Sequence, residues 1–297
     1  MRIVQIGLGK WGENNSKILS QLGFLSGVFD PNSDKAKEIG EKYSVKVYDS
    51  IDNLVSSDNF DAVFIDSTIP NSSELISNLL YSKKHVFAEK PISEYSELGK
   101  LHEITQKKKS LFSCSLDERY NSTLKQVKKL TKEKTFGEPI FLELYRESHL
   151  EKESLVFQSS FYDIDSANQI FGEMPVFVFS RIFSDEEEKF ANIILGYPNN
   201  KSAVILSNYS SEKIAKLKVI CLQKTIFADL ESNKIEGFDE NREENNPLLS
   251  QMENFISAIE GKNDLEVNAN EIINLTKIAE GALLSSKQGV PIYLDLK

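Results

Sequence analysis

Six short apolar runs without polar alternation punctuate the first 115 residues and restrict what that half of the chain can form. They lie at Ile3–Ile6, 24–29, 45–48, Ala62–Ile65, 86–88 and 111–114. Most are separated by stretches of helical periodicity, such as Ile18, Leu19 and Leu22, or Leu75, Ile76, Leu79 and Leu80, or Leu98, Leu101 and Ile104. A run with no polar face suits a strand buried on both sides, and strand–helix–strand repeats imply βαβ units in a parallel sheet. The N-terminal half therefore reads as α/β, a Rossmann-type doubly wound parallel sheet.

Beyond Leu116 the rhythm changes. The pattern predicts a helix over Ser122–Lys132, an extended segment over 139–145 and a helix over 153–171, with Phe157, Phe161, Ile164 and Phe171 at core spacing. Strands are expected at 176–182, 191–197, 203–209, 215–222 and 225–230, joined by polar turns that suit antiparallel hairpins. Residues 231–246 read as an exposed loop. Two helices close the chain, over 248–259 and 268–286, the second opened by Asn268 and Glu271 in a capping-box spacing. The second half is thus α+β, on a large, mostly antiparallel open sheet. A length of 297 residues suits two domains, here 1–118 and 119–297.

Charge and rare residues narrow the function classes. With 35 Lys and Arg against 45 Asp and Glu, the net charge of −10 disfavours nucleic acid and anionic membrane surfaces as partners. Cys114 and Cys221 form no CxxC pattern, and His85, His102 and His149 show no HxxxH or HExxH spacing, so neither a disulfide framework nor a bound transition metal is expected. No apolar run approaches the roughly 18 residues of a membrane helix, and no signal-peptide core precedes Lys10; a cytoplasmic location is the expectation.

Gly7-Leu8-Gly9-Lys10-Trp11-Gly12 follows the first strand and opens the first helix. In that context Gly7 permits a tight turn, Gly9 lets the backbone approach a pyrophosphate, and Gly12 lets helix and strand pack closely. The helix N-terminus then offers N–H groups and positive dipole to phosphates. Asp30, at the end of the second strand, stands where an acidic residue accepts hydrogen bonds from ribose hydroxyls. NAD is thereby favoured over NADP, whose 2′-phosphate a carboxylate repels. Asp30 also opens the turn Asp30-Pro31-Asn32-Ser33, and the two roles are compatible.

With GxGxWG at the start, the segment His85-Val86-Phe87-Ala88-Glu89-Lys90-Pro91 resembles the Glu-Lys-Pro element of the glucose–fructose oxidoreductase/inositol dehydrogenase (Gfo/Idh/MocA) family. Thr68-Ile69-Pro70 resembles that family's Thr-Pro-Pro turn beside the nicotinamide. Arg119-Tyr120 resembles its Arg-Tyr/Phe element, and Phe136-Gly137-Glu138-Pro139 its entry into the large sheet. The resemblance spans nearly the whole chain. It implies an NAD(P)-dependent oxidoreductase acting on a hydroxyl or keto group of a sugar, cyclitol or sugar nucleotide, assembled as a homodimer or homotetramer through the C-terminal sheet. Glu89 and Lys90, with Thr68 and Pro70, would line the cofactor end, and Lys90 would hydrogen-bond the reacting oxygen. Without the resemblance, Lys90 reads as a solvated lysine before a loop.

One departure from the family pattern bears on catalysis. Counting back from Gly172, the family's Asp-xxx-His-xx-Asp motif falls on Gln158, Tyr162 and Asp165, one helical face by spacing, so the usual histidine acid is replaced by tyrosine. A tyrosine hydroxyl can donate a proton to a carbonyl oxygen, with Lys90 stabilising the tyrosinate and Asp165 orienting the substrate or a neighbouring side chain. The same departure also fits a non-catalytic NAD(H)-binding sensor or assembly protein, or a reductase of a non-sugar substrate. Arg119, Tyr120, Arg146 and Gln158 are candidates to hold substrate, and the first three equally suit ion pairs or a domain interface.

Overall fold

A computed structural model describes residues 1–57, 59–66, 69, 72–89, 95–133, 136–149, 154–238 and 246–296, with 95–97 as backbone only. The chain forms two compact units. The first takes Met1–Ser115 together with Gln251–Ile273, and the second Leu116–Ser250 with Asn274–Lys297. The first crossing lies three residues before the boundary expected at 118, and the chain crosses twice more, within its last two helices.

In the first unit the elements alternate as the apolar runs require. They are β1 (Ile3–Ile6), α1 (Lys10–Gln21), β2 (Leu25–Phe29), α2 (Ser33–Tyr43), β3 (Lys46–Val47), α3 (Ile51–Val55), β4 (Ala62–Ile65), α4 (Ser72–Tyr81), β5 (His85–Ala88), α5 (Tyr95–Lys108) and β6 (Phe112–Cys114). The sheet is parallel throughout, in the order β3-β2-β1-β4-β5-β6. Every residue of β1 and β4 is buried, because helices cover both faces. The run expected at 45–48 is reduced to two residues, since β3 is the sheet edge.

The returning segment completes this core. Phe64 and Phe87 stack at 4.7 Å between ring centroids, and Phe255 packs edge-on against both, at 5.7 and 5.3 Å. Ser113 donates to the Val267 carbonyl at 2.9 Å, and Ser115 pairs with Gln251.

The second unit holds α6 (Ser122–Lys132), β7 (Pro139–Ser148), α7 (Phe161–Phe171), β8 (Phe177–Asp185), β9 (Glu187–Gly196), β10 (Ser202–Tyr209), β11 (Ile214–Cys221), β12 (Thr225–Asp229) and β13 (Lys234–Ile235). Then come α8 (Pro247–Ile259), α9 (Ala269–Gln288) and β14 (Ile292–Tyr293), the two helices shared between the units. The eight strands run β13-β12-β11-β7-β10-β9-β8-β14. All pairs are antiparallel except β7–β10. One face alternates into the core, through Leu142, Leu144, Ile193, Leu195, Ala203 and Ile205.

Two expectations need correction. The helix expected over 153–171 begins as a π-helical turn, Val156–Ser160, and only then continues as α7; residue 153 lies outside the described residues. The loop expected over 231–246 contains β13, whose Ile235 is buried against the sheet; residues 239–245 lie outside the described ones. Phe255→Ala should cost about 3–5 kcal/mol of stability by chemical denaturation, because it empties the ring cluster. Leu284→Ala, at an exposed site on α9, should stay within about 0.5 kcal/mol of the parent.

Candidate functional site

The turn between β1 and α1 is built from its glycines. Gly7 has φ +81°, a conformation that side chains rarely adopt, and its N–H donates to the Phe29 carbonyl at 2.8 Å. A Cβ on Gly12 would lie 2.1 Å from the Gly7 carbonyl oxygen, so α1 can approach β1 only because that position is bare. Beneath the turn, the buried Gln5 amide donates to the Gly7 carbonyl at 2.9 Å. The Leu8 side chain belongs to the core with Val28, Ala36 and Ile39. Its N–H donates to Asp30 Oδ2 at 2.6 Å, and Asp30 Oδ1 accepts from Asn32 N at 2.8 Å.

Gly9 is the N-cap of α1, so Lys10 and Trp11 open the helix with first-turn N–H groups that have no helical acceptor. Trp11 stacks over Phe87 at 6.2 Å. These bare glycines and first-turn donors form a cradle fit for a dinucleotide, with Asp30 at the end of β2. Glu89, whose N–H donates to the Ile65 carbonyl at 2.9 Å, continues β5 beside β4. Thr68, Pro70 and Lys90 lie outside the described residues.

In the second unit, charged side chains converge on α7. Arg119, in the 3-10 turn Asp117–Tyr120, presents Nε and one terminal nitrogen to the two oxygens of Asp165, both at 2.8 Å, and the pair is nearly excluded from solvent. Arg146, on the inner face of β7, binds Asp163 bidentately, at 3.1 and 2.8 Å, and reaches Glu118 at 2.8 Å. Burial works against the Arg146 charge, but Asp163 and Glu118 outweigh it and hold the guanidinium firmly protonated. Tyr162 is half-buried, its ring centre 5.9 Å from the Arg146 guanidinium carbon. Gln158 sits on the π-helical turn, its N–H donating to the Ser154 carbonyl. Tyr120 is 4% exposed, packed in the core under Lys125, so its side chain is a core residue and not a surface one.

The structure therefore joins Arg119 to Asp165 as an internal ion pair and gives Arg146 carboxylate partners of its own. Three site residues escaped the sequence reading. Asp66 follows directly on β4 and touches the glycine turn, a position marked by an acid at the carboxyl end of a buried strand. Asp163 is buried on α7 among Ser159, Ser160, Ser166 and Ala167, its helical neighbours, and Glu118 adjoins it through Arg146. Among the described residues, no helix is long and apolar enough to cross a membrane.

Residues 1–115 match the family described as "Oxidoreductase family, NAD-binding Rossmann fold". Over 201 residues the chain is 29% identical to myo-inositol 2-dehydrogenase of Thermotoga maritima, which covers 63% of this chain and 60% of that protein. The chain thus aligns with about three fifths of that relative's length. In fold it is similar to UDP-N-acetylglucosamine 3-dehydrogenase from Acidithiobacillus ferrooxidans, with a TM-score of 0.87 at 18% identity over 97% of this chain and 98% of that one. It is also similar to scyllo-inositol dehydrogenase from Lactobacillus casei with bound NAD(H) and scyllo-inositol, with a TM-score of 0.85 at 15% identity over 99% and 98%. At such identities the likeness establishes the fold.

Burial, with Glu118 beside it, pushes the Asp117 carboxyl up to about 6 against the opposing pull of Arg146. The folded chain then binds this proton more tightly than the unfolded chain, whose aspartates titrate near 4, so this contribution to stability falls as pH rises from about 4 to 6 and is level above. Asp117→Asn should therefore be more stable than the parent at pH 7, by up to about 3 kcal/mol, with the gain vanishing below about pH 4 in denaturation curves. Arg146→Met should cost about 3–5 kcal/mol, since it leaves Asp163 and Glu118 facing each other without a cation.

Proposed function

We propose, from the premise that residues 1–115 belong to the Gfo/Idh/MocA oxidoreductase family, that the chain is an NAD-dependent dehydrogenase or reductase acting on a hydroxyl or keto group of a sugar-type substrate. The observation that carries this reading is the β1–α1 turn, with Gly7 at positive φ, no room for a Cβ at Gly12, and Asp30 at the end of β2. Bound NAD supplies a hydride acceptor, and NADH a donor. Lys10 and Trp11 would hold phosphate oxygens with their N–H groups, and Asp30 would accept from the adenosine ribose. The Asp30 carboxylate repels a 2′-phosphate, which favours NAD over NADP.

Lys90 and Tyr162 manage the proton at the substrate oxygen, with Tyr162 in the place where the family pattern has histidine. Asp165 and Arg119 act as a positioning pair that fixes α7, and with it Tyr162. Both arginines are matched by carboxylates, which supports an uncharged polyol ring at this cluster over an anionic group.

The outward face of the eight-stranded sheet supports assembly with a second copy. It presents Phe177, Phe179, Ile194, Val204, Leu206 and Phe227 at alternate positions, each partly exposed among the described residues. A homodimer or homotetramer through this face is the expected state in light scattering; a monomer at micromolar concentration would count against it.

Calorimetric titration should show NADH bound more tightly than NADPH, and Trp11, the sole tryptophan, should report the binding by fluorescence quenching. Lys90→Ala should leave NADH binding nearly intact while lowering turnover of a keto-sugar or polyol by at least about 100-fold, and Tyr162→Phe should lower it in the same way. NADH binding without turnover of any such compound would make the chain a nucleotide sensor. Binding of neither nucleotide would remove the reading altogether.

A further inference from the structure

We propose that Asp66 is an internal anion of the phosphate turn that holds its affinity for a dinucleotide down, so that the nucleotide exchanges as a co-substrate and is not retained as a fixed group. The inference rests on the nucleotide-binding reading above. The strand pairing places the side chain. Asp66 N donates to the Ile6 carbonyl at 2.8 Å, so the β1–β4 register continues one residue past β4 and brings Asp66 against the glycine turn. There it is 1% exposed, and its Oδ2 accepts from Gly12 N at 3.2 Å. A Cβ on Gly9 would lie 2.7 Å from the same oxygen, and one on Gly7 would lie 2.6 Å from the Asp66 Cβ. The carboxylate therefore lies in the hollow that the bare glycines leave.

The electrostatic consequence follows from the helix end. Gly9, the N-cap of α1, has no side chain with which to cap, and the Gly12 N–H is among the donors that the helix cannot satisfy itself. Asp66 supplies that cap from another strand, as Asp30 does for Leu8 on the other side of the turn. An anionic side chain at a helix N-terminus stabilises the empty turn. A pyrophosphate brought to the same end carries further negative charge, and like charges in a water-poor site repel. Lys35 does not offset this freely. Its charge feels Asp30 and Asp66, but its ammonium is bound to Glu13 at 2.7 Å.

The test uses the full chain and three ligands, two with a pyrophosphate and one without. Asp66→Asn keeps the shape without the charge, and Asp66→Ser keeps a small acceptor near Gly12 N. Calorimetric titration with NADH and with ADP-ribose should show both variants binding about tenfold more tightly than the parent, a difference of about 1.4 kcal/mol. Adenosine, which has no phosphate, should bind all three forms alike. The parent should also purify without stoichiometric nucleotide. Unchanged or weaker NADH binding in a folded variant would overturn the proposal, and so would an equal gain for adenosine, which would mean a repacked turn. Failure of both variants to fold would assign Asp66 to stability alone and overturn it as well. If parent and variants all ignore NADH, the nucleotide reading itself falls. If the parent binds and the variants gain nothing, only the role of Asp66 falls.

Discussion

Backbone N–H groups where a strand turns into a helix need acceptors, and in this chain two carboxylates that follow neighbouring strands take two of them. The strand order makes this possible. β1 lies between β2 and β4, so the residues that follow those two strands flank the turn that follows β1. Asp30 takes the Leu8 N–H and Asp66 the Gly12 N–H, while Gln5 holds the Gly7 carbonyl from below. A turn fixed on three sides is preorganised, so a ligand arriving there spends little on ordering the backbone. The N–H groups of Lys10 and Trp11, which have no acceptor within the helix, are donors that the turn offers such a ligand.

The second unit is organised by a different expense. Arg146, on β7, and Arg119, in the 3-10 turn, are both buried beside α7, where an unmatched charge costs several kcal/mol. Each is answered by an acid on one helix, Asp165 for the first and Asp163 for the second, with Glu118 closing the group from the 3-10 turn. Such buried pairs add little net stability compared with apolar packing. Their effect is on placement, because a bidentate fork tolerates little rotation of the helix that carries the carboxylate. Tyr162 stands between Phe161, which is buried, and Asp163, so its place on α7 is set with theirs, and its ring lies 5.9 Å from the Arg146 guanidinium carbon.

The first unit was legible because burial on both faces leaves a plain trace: β4 is an unbroken apolar run, β1 and β5 carry one polar residue each, Gln5 and His85, and the glycine spacing follows β1 directly. The second was legible strand by strand through alternation, as in β10, where Ala203, Ile205 and Ser207 point inward. Pairing was not legible. Nothing in the periodicity of β7 and β10 says that they run parallel, and two residues of β13 are too few to show a period. The return of residues 251–273 to the first unit was equally silent, because Phe255 reads as an ordinary core position of an amphipathic helix whichever core receives it. Asp66 and Asp163 were missed for a shared reason: a lone acid beside an apolar run looks like a solvated strand end or helix edge until its buried partner is known.

The π-helical turn shows where spacing arguments lose force. An offset of four residues places two side chains on one face only while the helix keeps about 3.6 residues per turn. Between Val156 and Ser160 the chain closes i→i+5 bonds, with Phe161 N donating to the Val156 carbonyl, so the turn is wider and each residue advances by a smaller angle. Gln158 lies inside that wide turn, while Tyr162 and Asp165 lie beyond it in regular α-helix. The three positions that a motif count puts in one line therefore do not share one helical frame. Tyr162 and Asp165 keep their relation, and Gln158 is rotated away from the place an unbroken helix would give it. Wide turns of this kind are uncommon and often mark functional sites, since they hold an extra residue in a helix at some cost in hydrogen bonding. Here the extra residue lies one turn before Tyr162, so the helical irregularity and the half-buried tyrosine share one stretch of backbone.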